Sequence, residues 1–155
     1  MKRPFVTLLL ALGVLGCTEP RLESARDALA TAQRRWTATG LANYDFTAQR
    51  LCFCADAVTR PVTVRVRGGS FSAIAYADSG TAADSSLFAA FLTIDRLFGF
   101  LRQQLDAMPD TLVAAYDPRL GYPTSAFVDP HFSTADDEFS LQVTALNAAQ
   151  AAVGR

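Results

Sequence analysis

Residues 62–76 constrain the fold more than any other part of the chain. Val62, Val64 and Val66 alternate with Thr63, Arg65 and Arg67, Gly68-Gly69 follows, and Ser70-Phe71-Ser72-Ala73-Ile74-Ala75-Tyr76 returns. Alternation with period two is the pattern of a half-buried strand, and paired glycines accept the positive φ of a two-residue hairpin turn. An uninterrupted register would pair Val66 with Phe71 and Val64 with Ala73, giving one apolar face and leaving Arg65 and Arg67 on the other. A lone hairpin is marginal in water, so this one requires further strands or a helix against its apolar side.

Two helical stripes can supply that cover. Leu22, Ala25, Leu29, Ala32 and Trp36 step by three and four, and Gly40 is placed to stop the helix. Leu87, Phe91, Ile94, Phe98, Leu101, Leu105 and Met108 form a second stripe, inside which Thr93 could cap a fresh start. Residues 44–54 begin with alternation and read as a strand. Residues 111–116, 124–128 and 138–146 read as three more strands, with Asp117-Pro118 and Gly121 shaping the turn between the first two. The order is helix, three strands, helix, three strands. It predicts an α+β domain with a mainly antiparallel sheet and the helices on one sheet face.

The N-terminus reads differently. Lys2 and Arg3 precede an almost wholly apolar run, residues 5–16, which ends in Val14-Leu15-Gly16-Cys17. Twelve residues fall short of the ~20 that span a bilayer. The layout is that of an export signal, residues 1–16, whose removal leaves a lipid-modified Cys17 at the new N-terminus. Residues 17–21 are then a tether, 22–146 one domain and 147–155 a frayed tail. The expected location is the bacterial cell envelope, lipid-anchored on its periplasmic or surface side. Processing removes Lys2 and Arg3 and takes the formal charge from −1 to −3. No basic patch suggests nucleic acid.

Absences narrow the chemistry. Lys2 is the only lysine, so a processed chain has none for a P-loop, a Schiff base or a pyridoxal cofactor. His131 is the only histidine, which excludes a two-histidine zinc motif. No cofactor is expected. A non-enzymatic binding or assembly module is the leading class, its partner an envelope protein or small ligand.

With Cys17 taken by lipid, Cys52 and Cys54 remain as an even pair. Residues i and i+2 of a flat strand lie about 6.6 Å apart at Cα, near the disulfide limit, so a bond between them requires a bend. The alternatives for the pair are a structural staple, a redox-active dithiol, buried thiols, or zinc ligation with His131 and Asp129. Asp129, Asp136, Asp137 and Glu138 form an acidic cluster that offers weak carboxylate ligands for a metal, without the loop glycine of a known calcium motif. Tyr116, Asp117, Arg119 and Tyr122 make a candidate binding loop.

Trp36, Asn43-Tyr44, Cys52-Phe53-Cys54, Pro61-Val62-x-Val64, Tyr116-Asp117-Pro118-x-x-Gly121-Tyr122-Pro123 and Asp136-Asp137-Glu138 occur together. In this combination the chain resembles a family of bacterial exported proteins and lipoproteins classed as a domain of unknown function. The resemblance covers roughly residues 34–146. It implies an envelope location and this architecture, and it brings no catalytic residues.

Overall fold

The structure, a computed structural model, describes residues 20–149. The export signal, Cys17 and residues 150–155 lie outside the described residues. The chain runs α1 (Pro20–Ala38), β1 (Tyr44–Cys52), α2 (Asp56–Thr59), β2 (Val62–Arg67), β3 (Ser70–Tyr76), a 3-10 segment (Ser85–Phe91), α3 (Ile94–Asp106), β4 (Thr111–Tyr116), β5 (Pro123–Asp129) and β6 (Phe139–Ala148). The six strands form one antiparallel sheet in the order β3-β2-β1-β6-β5-β4. The α+β class therefore stands, with the short helix α2 and the 3-10 segment added to the expected order.

Tyr44, Phe46 and Ala48 of β1 face Val66, Val64 and Val62 of β2 in register, and all six are buried. On β6, Phe139, Leu141 and Val143 continue that buried surface, as do Ala126 and Val128 of β5. Leu29, Ala32 and Trp36 of α1 and Ile94, Leu97, Phe98, Leu101 and Leu105 of α3 belong to the same core cluster. The alternate strand residues, among them Asp45, Thr47, Thr63 and Arg65, look the other way. Asp45 holds both arginines of β2 there, Arg67 at 2.7 Å and Arg65 at 3.8 Å.

Several sequence expectations need correction. The hairpin keeps Val66 opposite Phe71, but a bulge at Ser72 pairs Arg65 with Ala73 and Val64 with Ile74. The bulge buries the larger Ile74 and leaves Ala73 outside. The fresh start expected at Thr93 is present: its hydroxyl accepts from Arg96 N at 3.0 Å and caps α3, so the second stripe is split there. Its two end members do not join the core: Leu87 is exposed, and Met108 lies past the end of α3 at φ 55 with its side chain turned outward. The helix begins at Pro20, inside the expected tether, and β6 extends to Ala148, inside the expected tail, where Ala148 pairs with Tyr44.

Two contacts fix how the layers meet. The Tyr44 hydroxyl accepts a hydrogen bond from Ile94 N at 3.1 Å, satisfying an otherwise orphaned donor at the buried start of α3. Burial pushes the Tyr44 phenol up to about 12. Gly121, at φ 86, brings the β4–β5 turn directly onto the backbone of α1, where an added Cβ would run into Ala32 O and lie 3.0 Å from Trp36 N. Gly121→Ala is therefore expected to combine left-handed strain of ~1–2 kcal/mol with a backbone collision, and to cost at least that much in urea unfolding. A loss below ~0.5 kcal/mol would show that the turn does not bear on α1.

Candidate functional site

The two edges of the sheet are treated differently. Beside β3 the chain covers itself: Ala82 bridges Ala75, Tyr76 N donates to Thr81 O at 2.9 Å and Ala83 N donates to Ile74 O at 3.3 Å. Beside β4, no strand of the described residues pairs. An unpaired edge offers free backbone donors and acceptors to whatever lies next to it.

A groove of about 1250 Å³ runs along this edge. Arg21, Leu22, Ser24, Ala25 and Ala28 of α1 form one wall, and residues 108–114 with Tyr116 form the other. Phe132 stands at its mouth. Three side chains there are well exposed for their type, Met108 at 66%, Val113 at 63% and Phe132 at 80%. Met108 precedes Pro109, and proline disfavours the helical conformation in the residue before it. The Phe132 loop is pinned by its own backbone, since Phe132 N donates to Asp110 Oδ2 at 2.9 Å and Asp110 N to Pro130 O at 3.2 Å. Behind the groove, Arg26 of α1 donates to Leu105 O at 2.6 Å and satisfies the C-terminal end of α3.

Cys52 and Cys54 are bonded to each other, with Cα atoms 5.2 Å apart. The bend that the spacing demanded is a tight turn in which Cys54 N donates to Cys52 O at 2.8 Å. Phe53 at its apex is 85% exposed. Arg50, two residues back, lies over the Phe139 ring at 4.6 Å, and partial burial lowers its pKa.

The acidic cluster converges only in part. Desolvation, followed by the charges of Asp137, Glu138 and Asp110, raises the Asp129 pKa. One carboxylate oxygen each of Asp129 and Asp137 is shielded from solvent without a hydrogen-bond partner. Asp136 occupies a turn at φ 67. Among the described residues no group of three or more His, Cys, Asp or Glu side chains could hold a metal ion. The zinc set Cys52, Cys54, His131 and Asp129 is therefore not assembled, and both sulfurs are committed to their bond.

The expected binding loop is largely occupied by the fold. Asp117 Oδ1 accepts from Arg119 N at 2.9 Å and Leu120 N at 2.6 Å, which shapes the turn. Tyr116 stacks on Phe98 with its phenol pushed up to about 12 by burial. Tyr122 packs edge-on against Trp36. Arg119 is the exposed member.

A family model matches residues 28–148. The chain belongs to DUF6174, a family of unknown function. No curated protein and no solved structure matches it. Within this DUF6174 domain, several residues that carried the resemblance have visible packing roles: Tyr44 and Tyr122 each pack edge-on against Trp36, and Gly121 seats the β4–β5 turn on α1. No helix of the described residues is long and apolar enough to cross a membrane. Sequence reasoning missed the groove because the regular spacing of Met108 placed it in the core.

The raised Asp129 carboxyl makes a pH prediction. Folding disfavours its charged form, so its stability contribution is intact below the ordinary carboxylate range and is lost as pH rises through that range to the elevated folded value. Asp129→Asn should therefore raise Tm relative to the parent at pH 7. The difference should vanish below about pH 3, where both chains are uncharged at this position. An equal Tm difference at both pH values would mean that charge is not the cause.

Proposed function

We propose that this DUF6174 chain is a lipid-anchored envelope domain that acts by binding, with the groove between α1 and β4 as its contact surface. The observation that carries the reading is the β4 edge itself. It is the edge that the described chain does not cover, and it opens into a groove lined by exposed apolar side chains. The charged run, apolar stretch and Gly16-Cys17 layout at the N-terminus support the anchor. Two or more acyl chains give stable attachment where one gives only marginal binding.

Replacing Cys17 tests the anchor. Cys17→Ser should abolish palmitate labelling and move the protein from the membrane fraction to the soluble fraction. A wild-type protein that is soluble and unlabelled would refute the anchored reading.

A second reading, thiol–disulfide exchange, is favoured by the exposure of Cys54 in the bonded pair. A partner thiolate would attack Cys54 Sγ, the Cys52–Cys54 bond would break, and Cys52 would leave as a thiolate that takes a proton. The partner's second thiolate would then displace Cys54, so the partner dithiol is oxidised and the pair is reduced. The wild type should oxidise a reduced dithiol peptide stoichiometrically, and the Cys52→Ser, Cys54→Ser double variant should not. Failure of the wild type to do so leaves the bond a staple.

A further inference from the structure

We infer that the end of the sheet at which α1 begins is a membrane-contact surface, seated on the bilayer by direct insertion of apolar side chains. The inference rests on the lipid-anchor reading and names what the groove mouth faces. Its first support is where the exposed apolar side chains lie. Of seven large hydrophobic residues exposed among the described residues, Leu51, Phe53, Met108, Val113, Phe127 and Phe132 all sit at this end. It is the end where β1 and β5 finish and β4 starts. Leu51, Phe127 and Val113 share one row: Leu51 is opposite Ser140, Ser140 opposite Phe127, and Phe127 opposite Val113. With strands about 4.8 Å apart, that row spans roughly 14 Å. Phe53 projects from the turn just beyond Leu51, and Phe132 and Met108 flank the first turns of α1. Exposed apolar side chains grouped on a soluble domain commonly mark a contact surface.

The second support is the length of the tether. Cys17 is three positions before Pro20, the first residue of α1. Three residues reach about 10 Å at full extension. Whatever holds the lipid of Cys17 must therefore lie within that distance of the start of α1, beside Met108 and Phe132. A long flexible linker would leave the orientation of the domain free. This one brings the apolar end to the headgroups.

Charge indicates how the contact is made. Asp110, Asp129, Asp137 and Glu138 lie close enough to interact electrostatically and border the Phe132 loop, while Arg21 lines the opposite wall of the groove. A carboxylate-rich border gains nothing from anionic headgroups, so apolar insertion into a zwitterionic surface is the contact that fits. A basic or neutral protein partner would also meet this border, and the experiment separates the two.

The test uses the full-length, processed protein in phosphatidylcholine vesicles with brominated acyl chains. Phe132→Trp places a reporter on the apolar rim, and Ser70→Trp places one on the hairpin at the opposite end. Trp36 is buried and common to both. Tryptophan sits readily at membrane interfaces, and the reporter at position 132 should be quenched about threefold more than the one at 70. Mass spectrometry of the same samples reports the acyl groups. Equal quenching in protein that carries its acyl chains overturns the inference and leaves the anchor standing. Absence of acyl chains overturns both. Shielding of the position 132 reporter without lipid, rising with protein concentration, assigns the rim to a second copy and also overturns it.

Discussion

The whole structure depends on one aromatic junction. Trp36 near the end of α1 meets Tyr44 at the start of β1 edge-on at 5.2 Å, and Tyr122 from the β4–β5 turn reaches the same indole at 6.4 Å. Edge-to-face pairs of this kind add about 0.5–1.5 kcal/mol each beyond the area they bury. The Tyr44 hydroxyl, at the other end of its ring, accepts the backbone donor of Ile94 and fixes where α3 begins. Gly121 lets the turn approach α1 so closely that no side chain fits between them. The end of α1, the start of β1, the start of α3 and the β4–β5 turn are tied at this point. Tyr44 begins the strand that pairs with both β2 and β6.

That junction divides the molecule into two ends of unlike character. Beside it, conformational freedom is spent on packing: the β4–β5 turn is closed by Asp117, and its tyrosines are half-buried. At the far end the strands finish in loops that place phenylalanines in solvent. Functional surfaces generally sit where a rigid scaffold presents less constrained elements. Of the residues carrying the resemblance, Trp36, Tyr44, Gly121 and Tyr122 belong to the packed end, whereas Cys52-Phe53-Cys54 and Asp136-Asp137-Glu138 lie toward the far end, where the exposed apolar residues gather.

The chemically reactive groups follow the same division. Cys52 and Cys54 bend the end of β1 through their bond, and the bend turns Phe53 outward. The carboxylates around Asp129 sit close enough to raise its pKa and too dispersed to cage a cation. Like charges gathered at close range destabilise the folded state through mutual repulsion.

Much of this architecture was legible in the sequence because single elements announce themselves by period. Val62, Val64 and Val66 specify a strand with one buried face, the Leu101 and Leu105 spacing specifies a helix facing the core, and Thr93 specifies where that helix starts. The two-residue spacing of the cysteines required a bend, and a bend is present. Periodicity holds no information on long-range pairing, and that is where the tertiary structure decided. The bulge at Ser72 was chosen by the larger buried area of Ile74, Met108 left its stripe because α3 ends before Pro109, and β4 became an edge because β5 pairs with β6 on its other side. The groove, the apolar rim and the convergence of Trp36, Tyr44 and Tyr122 exist only between elements, so no stretch of sequence taken alone encodes them.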